Sequence, residues 1–139
     1  MERVMQGEVI VAGEAAGRAL VSSEPLSFWG GYDYRSGEII DRRHPLAGEV
    51  ASGCVLAVPF ARGSSTTTAV LLEAVKAGTA PAAIITTGVD SFFALASIVA
   101  DVMYQKPIPI FALTQEDFAT LKTEDWIEVQ TDGSVRVRM

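Results

Sequence analysis

Cysteine and histidine are almost missing from this 139-residue chain: each occurs once, as Cys54 and His44. A disulfide within the chain is therefore impossible, and a Cys/His metal cage cannot be built from this chain alone. Basic runs are missing too. Eleven Lys and Arg stand against seventeen Asp and Glu, a formal net charge of -6. That balance lacks the electrostatic footprint of a nucleic-acid binder. No stretch approaches the roughly 18 consecutive apolar residues of a membrane span. The N-terminal stretch, MERVMQGEVIVAGEAAG, carries acids and glycine where a signal peptide needs a continuous apolar run. A soluble, cytoplasmic domain is the expectation.

What is present is globular material. The apolar set makes up 49% of the residues and charged residues 20%, proportions that speak against disorder. A chain of this length forms one domain over residues 1–139 and buries roughly two-thirds of its unfolded surface, enough for one core without staples.

The pattern divides in three. Residues 7–13 and 18–22 read as short strands separated by a glycine-rich turn. Residues 24–51 keep no sustained period and read as a long, ordered loop region with a short strand at 38–40. Long loops in compact domains are usually functional or interfacial. From Gly53 onward, apolar strand-length runs at 54–59, 82–87 and 108–113 alternate with helices over 69–78 and 91–103. Gly78 stands where a C-terminal cap belongs, Asp90 where an N-cap belongs, and Thr114-Gln115-Glu116-Asp117 opens a short helix. Residues 125–130 and 134–138 alternate in period two around Thr131-Asp132-Gly133, a hairpin signal. The reading is an α/β fold with a β-α-β-α-β centre, a parallel sheet, and a second, antiparallel layer from the terminal strands.

One segment is placed to carry chemistry. Val58 to Thr68 joins a buried strand to a helix start, where N–H groups lack helical partners and favour a carboxylate or phosphate. Gly63 allows close backbone approach, Ser64 or Ser65 caps the helix while the other hydroxyl faces a ligand, and Arg62 adds a cation. Ordinary capping explains the same residues with no ligand at all. The segment is neither a P-loop nor a Gly-x-Ser-x-Gly elbow. A lone serine accepts a proton only where cations and N–H dipoles stabilise the developing charge. A Ser-His-acid triad would have to use His44, which reads more simply as a loop-packing residue. Arg42 and Arg43 read as a solvated or interfacial basic patch, and Cys54 as core. Phe28 and Trp29 either cover the domain's own core or, with the Arg42-Arg43-His44 loop, meet a large partner.

Several of these segments together resemble the small subunit of aconitase X: residues 20–31 (LVSSEPLSFWGG), Gly37-Glu38-Ile39-Ile40-Asp41, His44-Pro45-Leu46, Arg62-Gly63-Ser64-Ser65 and Ala80-Pro81-Ala82-Ala83-Ile84-Ile85. The resemblance runs from about Gly7 to Leu113. It implies a swivelling β/β/α domain, similar to the fourth domain of aconitase, paired with a large subunit that holds iron or an iron-sulfur cluster. The implied activity is hydro-lyase: dehydration of a small hydroxy acid, with the isolated subunit inactive and no metal ligand in this chain. It makes Ser64 the residue that takes the substrate proton, with Arg62, Gly63, Ser65 and Thr66 binding substrate. Aconitase has an arginine directly after its two serines. Thr66 stands there in this chain, which speaks against a di- or tricarboxylate substrate. Cis-3-hydroxy-L-proline is the favoured substrate, 5-phosphomevalonate the alternative. A non-catalytic anion-binding swivelling module is a further reading, and a phosphohistidine carrier is disfavoured by the missing Gly-Gly-x-x-Ser-His pattern.

Overall fold

In a computed structural model, residues 2–62 and 66–139 are described. The strands are β1 (Glu2–Gln6), β2 (Glu8–Val11), β3 (Ala15–Val21), β4 (Tyr32–Asp33), β5 (Glu38–Ile39), β6 (Val55–Ala57), β7 (Ala83–Thr86), β8 (Ile110–Ala112), β9 (Trp126–Val129) and β10 (Ser134–Arg138). The helices are α1 (Thr66–Ala77), α2 (Ser91–Tyr104) and the short α3 (Gln115–Phe118).

Eight strands form one sheet in the order β1-β10-β9-β3-β6-β7-β8-β2. The centre, β3-β6-β7-β8, is parallel, as the strand–helix alternation predicts. β3 is the joint: its second half pairs in parallel with β6, its first half antiparallel with β9. The antiparallel strands are therefore a continuation of the parallel sheet and not a separate layer. β1 and β2 lie at opposite ends of the strand order yet are separated only by Gly7, so the sheet curls into a near-barrel. The Gly7 N–H donates to the Gly133 carbonyl at 2.7 Å across this closure.

Period two in the parallel strands sorts side chains into two cores. Val55, Ala57, Ala83, Ile85 and Phe111 point into the barrel with Ile127, Val129, Val135 and Val137. Leu56, Ile84 and Ile110 point the other way, toward Leu71, Ala74 and Val75 of α1 and Phe93, Ala96 and Ala100 of α2. The two helices pack on each other on that outer face. Gly78, at φ +78°, ends α1 as expected. Gly133, at φ +91°, makes the β9–β10 turn. Asp90 and Thr114 cap α2 and α3.

Four elements depart from the sequence reading, among them β3, which starts at Ala15 rather than 18, and β4, a two-residue strand in the stretch read as loop. β1 was not expected: ERVMQ has no apolar run, and it is a strand because β10 supplies its partner, with Met5 its buried contact. α1 starts at Thr66, three residues before the expected 69, despite three threonines of low helix propensity.

The long segment between β3 and β6 is ordered, as its reading requires, because it carries its own apolar residues into the helix-side core. Leu26, Phe28, Ile39 and Ala51 are fully buried there. Phe28 stacks on Tyr32 at 5.0 Å and meets Phe93 edge-on at 5.5 Å. This corrects the interfacial reading of Phe28. Its neighbour Trp29 is 72% exposed and stays available to a partner. Phe28→Ala is expected to lower unfolding free energy by about 3–5 kcal/mol in urea denaturation. Trp29→Ala should stay within about 0.5 kcal/mol of the unsubstituted chain.

The phenol of Tyr32 donates to the Thr79 carbonyl at 2.7 Å. Burial, and secondarily the Cys54 thiol, push its ionisation above the ordinary tyrosine range. The folded state thus keeps a proton that the unfolded chain releases near pH 10, so this contribution is present below about pH 10 and is lost as pH rises beyond it. Tyr32→Phe is expected to flatten the alkaline decline in unfolding free energy while costing about 1 kcal/mol at neutral pH. An unchanged alkaline slope would locate the effect elsewhere.

Candidate functional site

The carboxyl ends of β6, β7 and β8 lie side by side, since the three strands are parallel and adjacent. Ligands of open parallel sheets gather at such ends, where strand exits meet helix starts. Gly63, Ser64 and Ser65 lie outside the described residues, but both flanks are described. Arg62, exposed, ends the exit from β6, and the half-buried Thr66 is the first residue of α1.

The exit from β6 is held by hydrogen bonds at Val58, Pro59, Ala61 and Arg62. The Val58 N–H donates to the Ile85 carbonyl (3.0 Å), and the Pro59 carbonyl accepts from the Thr87 N–H (3.2 Å). The Ala61 N–H donates to Asp90 Oδ2 (2.7 Å), and the Arg62 N–H to the Leu26 carbonyl (3.0 Å). Leu26 and Ala61 also form an isolated parallel bridge. The long loop region is therefore tied directly to the exit that leads to Ser64.

Beside Arg62 lies a polar cleft of about 280 Å³ lined by Glu24, Pro25, Ser27, Asp41, Arg43, His44 and Arg62. Neither Arg43 nor Arg62 has an ion pair among the described residues. Two arginines and two acidic residues thus line one small space. Arg42 lines a different cleft, with Glu38 and Gly48, so the adjacent arginines part company. A larger cavity of about 420 Å³ opens near the same strand ends, between Val21, Pro59, Phe60, Phe118 and Leu121. Its lining includes no charged side chain, and its polar groups are those of Ser23, Thr87 and Gln115.

His44 is a packing residue. Its Nδ1 accepts from the Leu46 N–H at 3.1 Å, and Nε2 lies 3.3 Å from the Glu24 carbonyl. The first bond requires an unprotonated Nδ1, so Nε2 carries the proton and donates. Both nitrogens are occupied by backbone, which leaves no free base for a triad. Cys54 is buried, as read, with its thiol 3.5 Å from the Val50 carbonyl. Among the described residues no three His, Cys, Asp or Glu side chains cluster to hold a metal. No described helix is long and apolar enough to cross a membrane.

The sequence reading places Arg62 and Thr66 at this end of the sheet and reads Arg43 as solvated or interfacial, and Arg43 is exposed; Glu24 and Asp41 carry no site signal in it. Their convergence depends on how residues 24–51 fold back onto the exit from β6, which no local period encodes. Asp90 was legible as a cap, whereas its bond to Ala61 was not.

A mixed sheet curled into a near-barrel, helices on one outer face, and a serine-bearing segment between a parallel strand and a helix start define a swivelling β/β/α domain. Comparison with known proteins agrees: the family model described as aconitase X swivel domain matches residues 4–137. The chain belongs to that family. It is 44% identical over 128 residues to the cis-3-hydroxy-L-proline dehydratase of Pseudomonas aeruginosa, covering 92% of this chain and 22% of that protein. It is 40% identical over 125 residues to the phosphomevalonate dehydratase small subunit of Methanothermobacter thermautotrophicus, covering 90% of each. The chain thus spans about a fifth of the length of the hydroxyproline dehydratases that it matches. Among solved structures, the aconitase X of Thermococcus kodakaraensis superposes with a TM-score of 0.87 at 31% identity, covering 99% of both chains.

Replacing His44 with alanine leaves the Leu46 N–H and the Glu24 carbonyl without these partners. A loss of about 1–3 kcal/mol in unfolding free energy is expected from urea denaturation. A variant as stable as the unsubstituted chain would contradict the packing role.

Proposed function

We propose that this chain is the swivel-domain subunit of a cytoplasmic hydro-lyase that dehydrates cis-3-hydroxy-L-proline. In this reading Ser64 accepts the substrate proton, and Arg62, Gly63, Ser65 and Thr66 bind around it. The observation that carries the reading is the mixed-charge cleft beside Arg62. A hydroxyproline is a zwitterion. Its carboxylate suits Arg62 and Arg43, and its ring ammonium suits Glu24 or Asp41. A phosphate monoester brings only negative charge, which two carboxylates in the same cleft disfavour. The relative in Pseudomonas aeruginosa carries this substrate in its name.

The reaction removes the proton on the carbon next to the carboxylate and the hydroxyl on the carbon beyond. The C–H electron pair becomes the new double bond as the C–O bond breaks. Ser64 acts as the alkoxide: its oxygen takes the substrate proton and becomes the hydroxyl, while the substrate hydroxyl leaves as hydroxide and is completed to water by a proton from solvent, to which Ser64 later returns its own. A serine alkoxide is tenable where helix-start N–H groups and a nearby guanidinium stabilise its negative charge. The described residues of this chain do not fit a metal. The iron or iron-sulfur cluster of the reading belongs to a large partner subunit, and no step assigned to this chain runs through it. Both the name of the Methanothermobacter relative and its 90% coverage of each chain support a separate large subunit. They also keep 5-phosphomevalonate as the second substrate reading.

The test is turnover of both substrates by the complex of this chain with its large subunit. Ser64→Ala should cut kcat on cis-3-hydroxy-L-proline by about 10²–10⁴-fold. Loss of a helix-capping hydroxyl alone would lower stability by about 0.5–2 kcal/mol and spare the rate. Ser65→Ala should give a smaller loss. If both variants turn over normally and only melt earlier, the segment is a cap. Faster turnover of 5-phosphomevalonate than of the imino acid would move the assignment to the second substrate.

A further inference from the structure

The carboxylate of Asp90 does more than start a helix. It is 9% exposed, and three backbone N–H groups donate to it: Phe92 (3.0 Å) and Phe93 (3.1 Å) to Oδ1, Ala61 (2.7 Å) to Oδ2. The first two make an ordinary N-cap. The third contributes nothing to the helix. It reaches across to the exit from β6 and is the shortest of the three. Beyond Ser64 in the chain a second link returns to the same turn of α2, where Thr68 Oγ1 donates to the Phe92 carbonyl at 3.1 Å. Residues 62–67 are thus bracketed by hydrogen bonds at Ala61 and Thr68, both made to the first turn of one helix.

We propose that Asp90 is a positioning residue for the reaction, setting where the Ser64 segment is presented by holding Ala61 against the first turn of α2. This rests on the reading of Ser64 as proton acceptor. Bonds from N–H groups to a buried carboxylate are stronger than those to a neutral oxygen, so Oδ2 is a stiff anchor. A reacting group displaced by about 1 Å loses about 10²-fold in rate, so an anchor three residues from the hydroxyl matters.

Asp90→Asn separates the two duties. Asparagine caps helices as well as aspartate does, so its carbonyl oxygen keeps α2. Its amide NH₂ then faces the Ala61 N–H, donor against donor. In the complex with the large subunit, Asp90→Asn should lower kcat at least about 10-fold with KM little changed, because substrate binding survives while alignment does not. Amide hydrogen exchange at Ala61 should accelerate in the same complex. The control is Thr114→Ala, which removes the hydroxyl that caps α3 through the Asp117 N–H at 3.1 Å. It should lower the melting temperature at least as much and leave kcat unchanged. Full turnover by Asp90→Asn beside a dead Ser64→Ala overturns the positioning role alone. Equal loss of kcat in Asp90→Asn and Thr114→Ala overturns it too, reducing Asp90 to a stabilising cap. Full turnover by Ser64→Ala overturns the reading of Ser64 and this inference with it.

Discussion

Strands β6, β7 and β8 have no face turned to water. Leu56, Ile84 and Ile110 are buried under the helices, while Val55, Ala57, Ile85 and Phe111 are buried in the barrel. Short strands of three or four residues, buried on both sides, need cover on both sides, and the rest of the fold supplies it. α1 and α2 cover one face. β1, β9 and β10 curl round to cover the other, and closing that curl at Gly7 leaves few unpaired strand edges. The two cores are separated by a single sheet, so a strand cannot slip by one residue without exchanging their contents.

That rigidity has a use at one end. Parallel strands place their exits together, and here the exits of β6 and β7 bond to each other before either reaches a helix. The long β3–β6 connection buries Phe28 under α2 and returns Leu26 to the same exit, so a segment with little regular structure becomes part of the frame. Its charged residues then share a cleft with Arg62. A proton acceptor without a histidine partner depends on fixed dipoles and cations around it, and those keep their orientation only on a frame that does not yield. The hydrogen bonds of the β6 exit and the Leu26–Ala61 bridge supply such a frame.

Legibility in the sequence followed locality. The apolar runs at 54–59, 82–87 and 108–113, Gly78, and the Asp90 and Thr114 caps are written within a few residues of where they act, and each stands where it was expected. β1 was invisible because its strand character is conferred by β10, more than 120 residues away. Phe28 and Trp29 are neighbours with similar chemistry, one fully buried and the other exposed. Only the packing of Tyr32 and Phe93 around Phe28 separates them. The mixed-charge cleft has no local signature for the same reason: Glu24, the Asp41–Arg43 turn and Arg62 come from three stretches that only the fold brings together. The family, by contrast, was legible as a string of short motifs in order. Its match over residues 4–137 extends past both limits of the motifs first noticed.

The central claim is that the proton acceptor belongs to this chain rather than to its partner. Substrate carrying deuterium on the carbon beside the carboxylate tests it directly, by following release of the label to water at equal occupancy of the complex. The account predicts rapid release by the unsubstituted complex and retention of the label in the complex carrying Ser64→Ala. Release at an unchanged rate from that variant would place the acceptor on the large subunit and contradict the account.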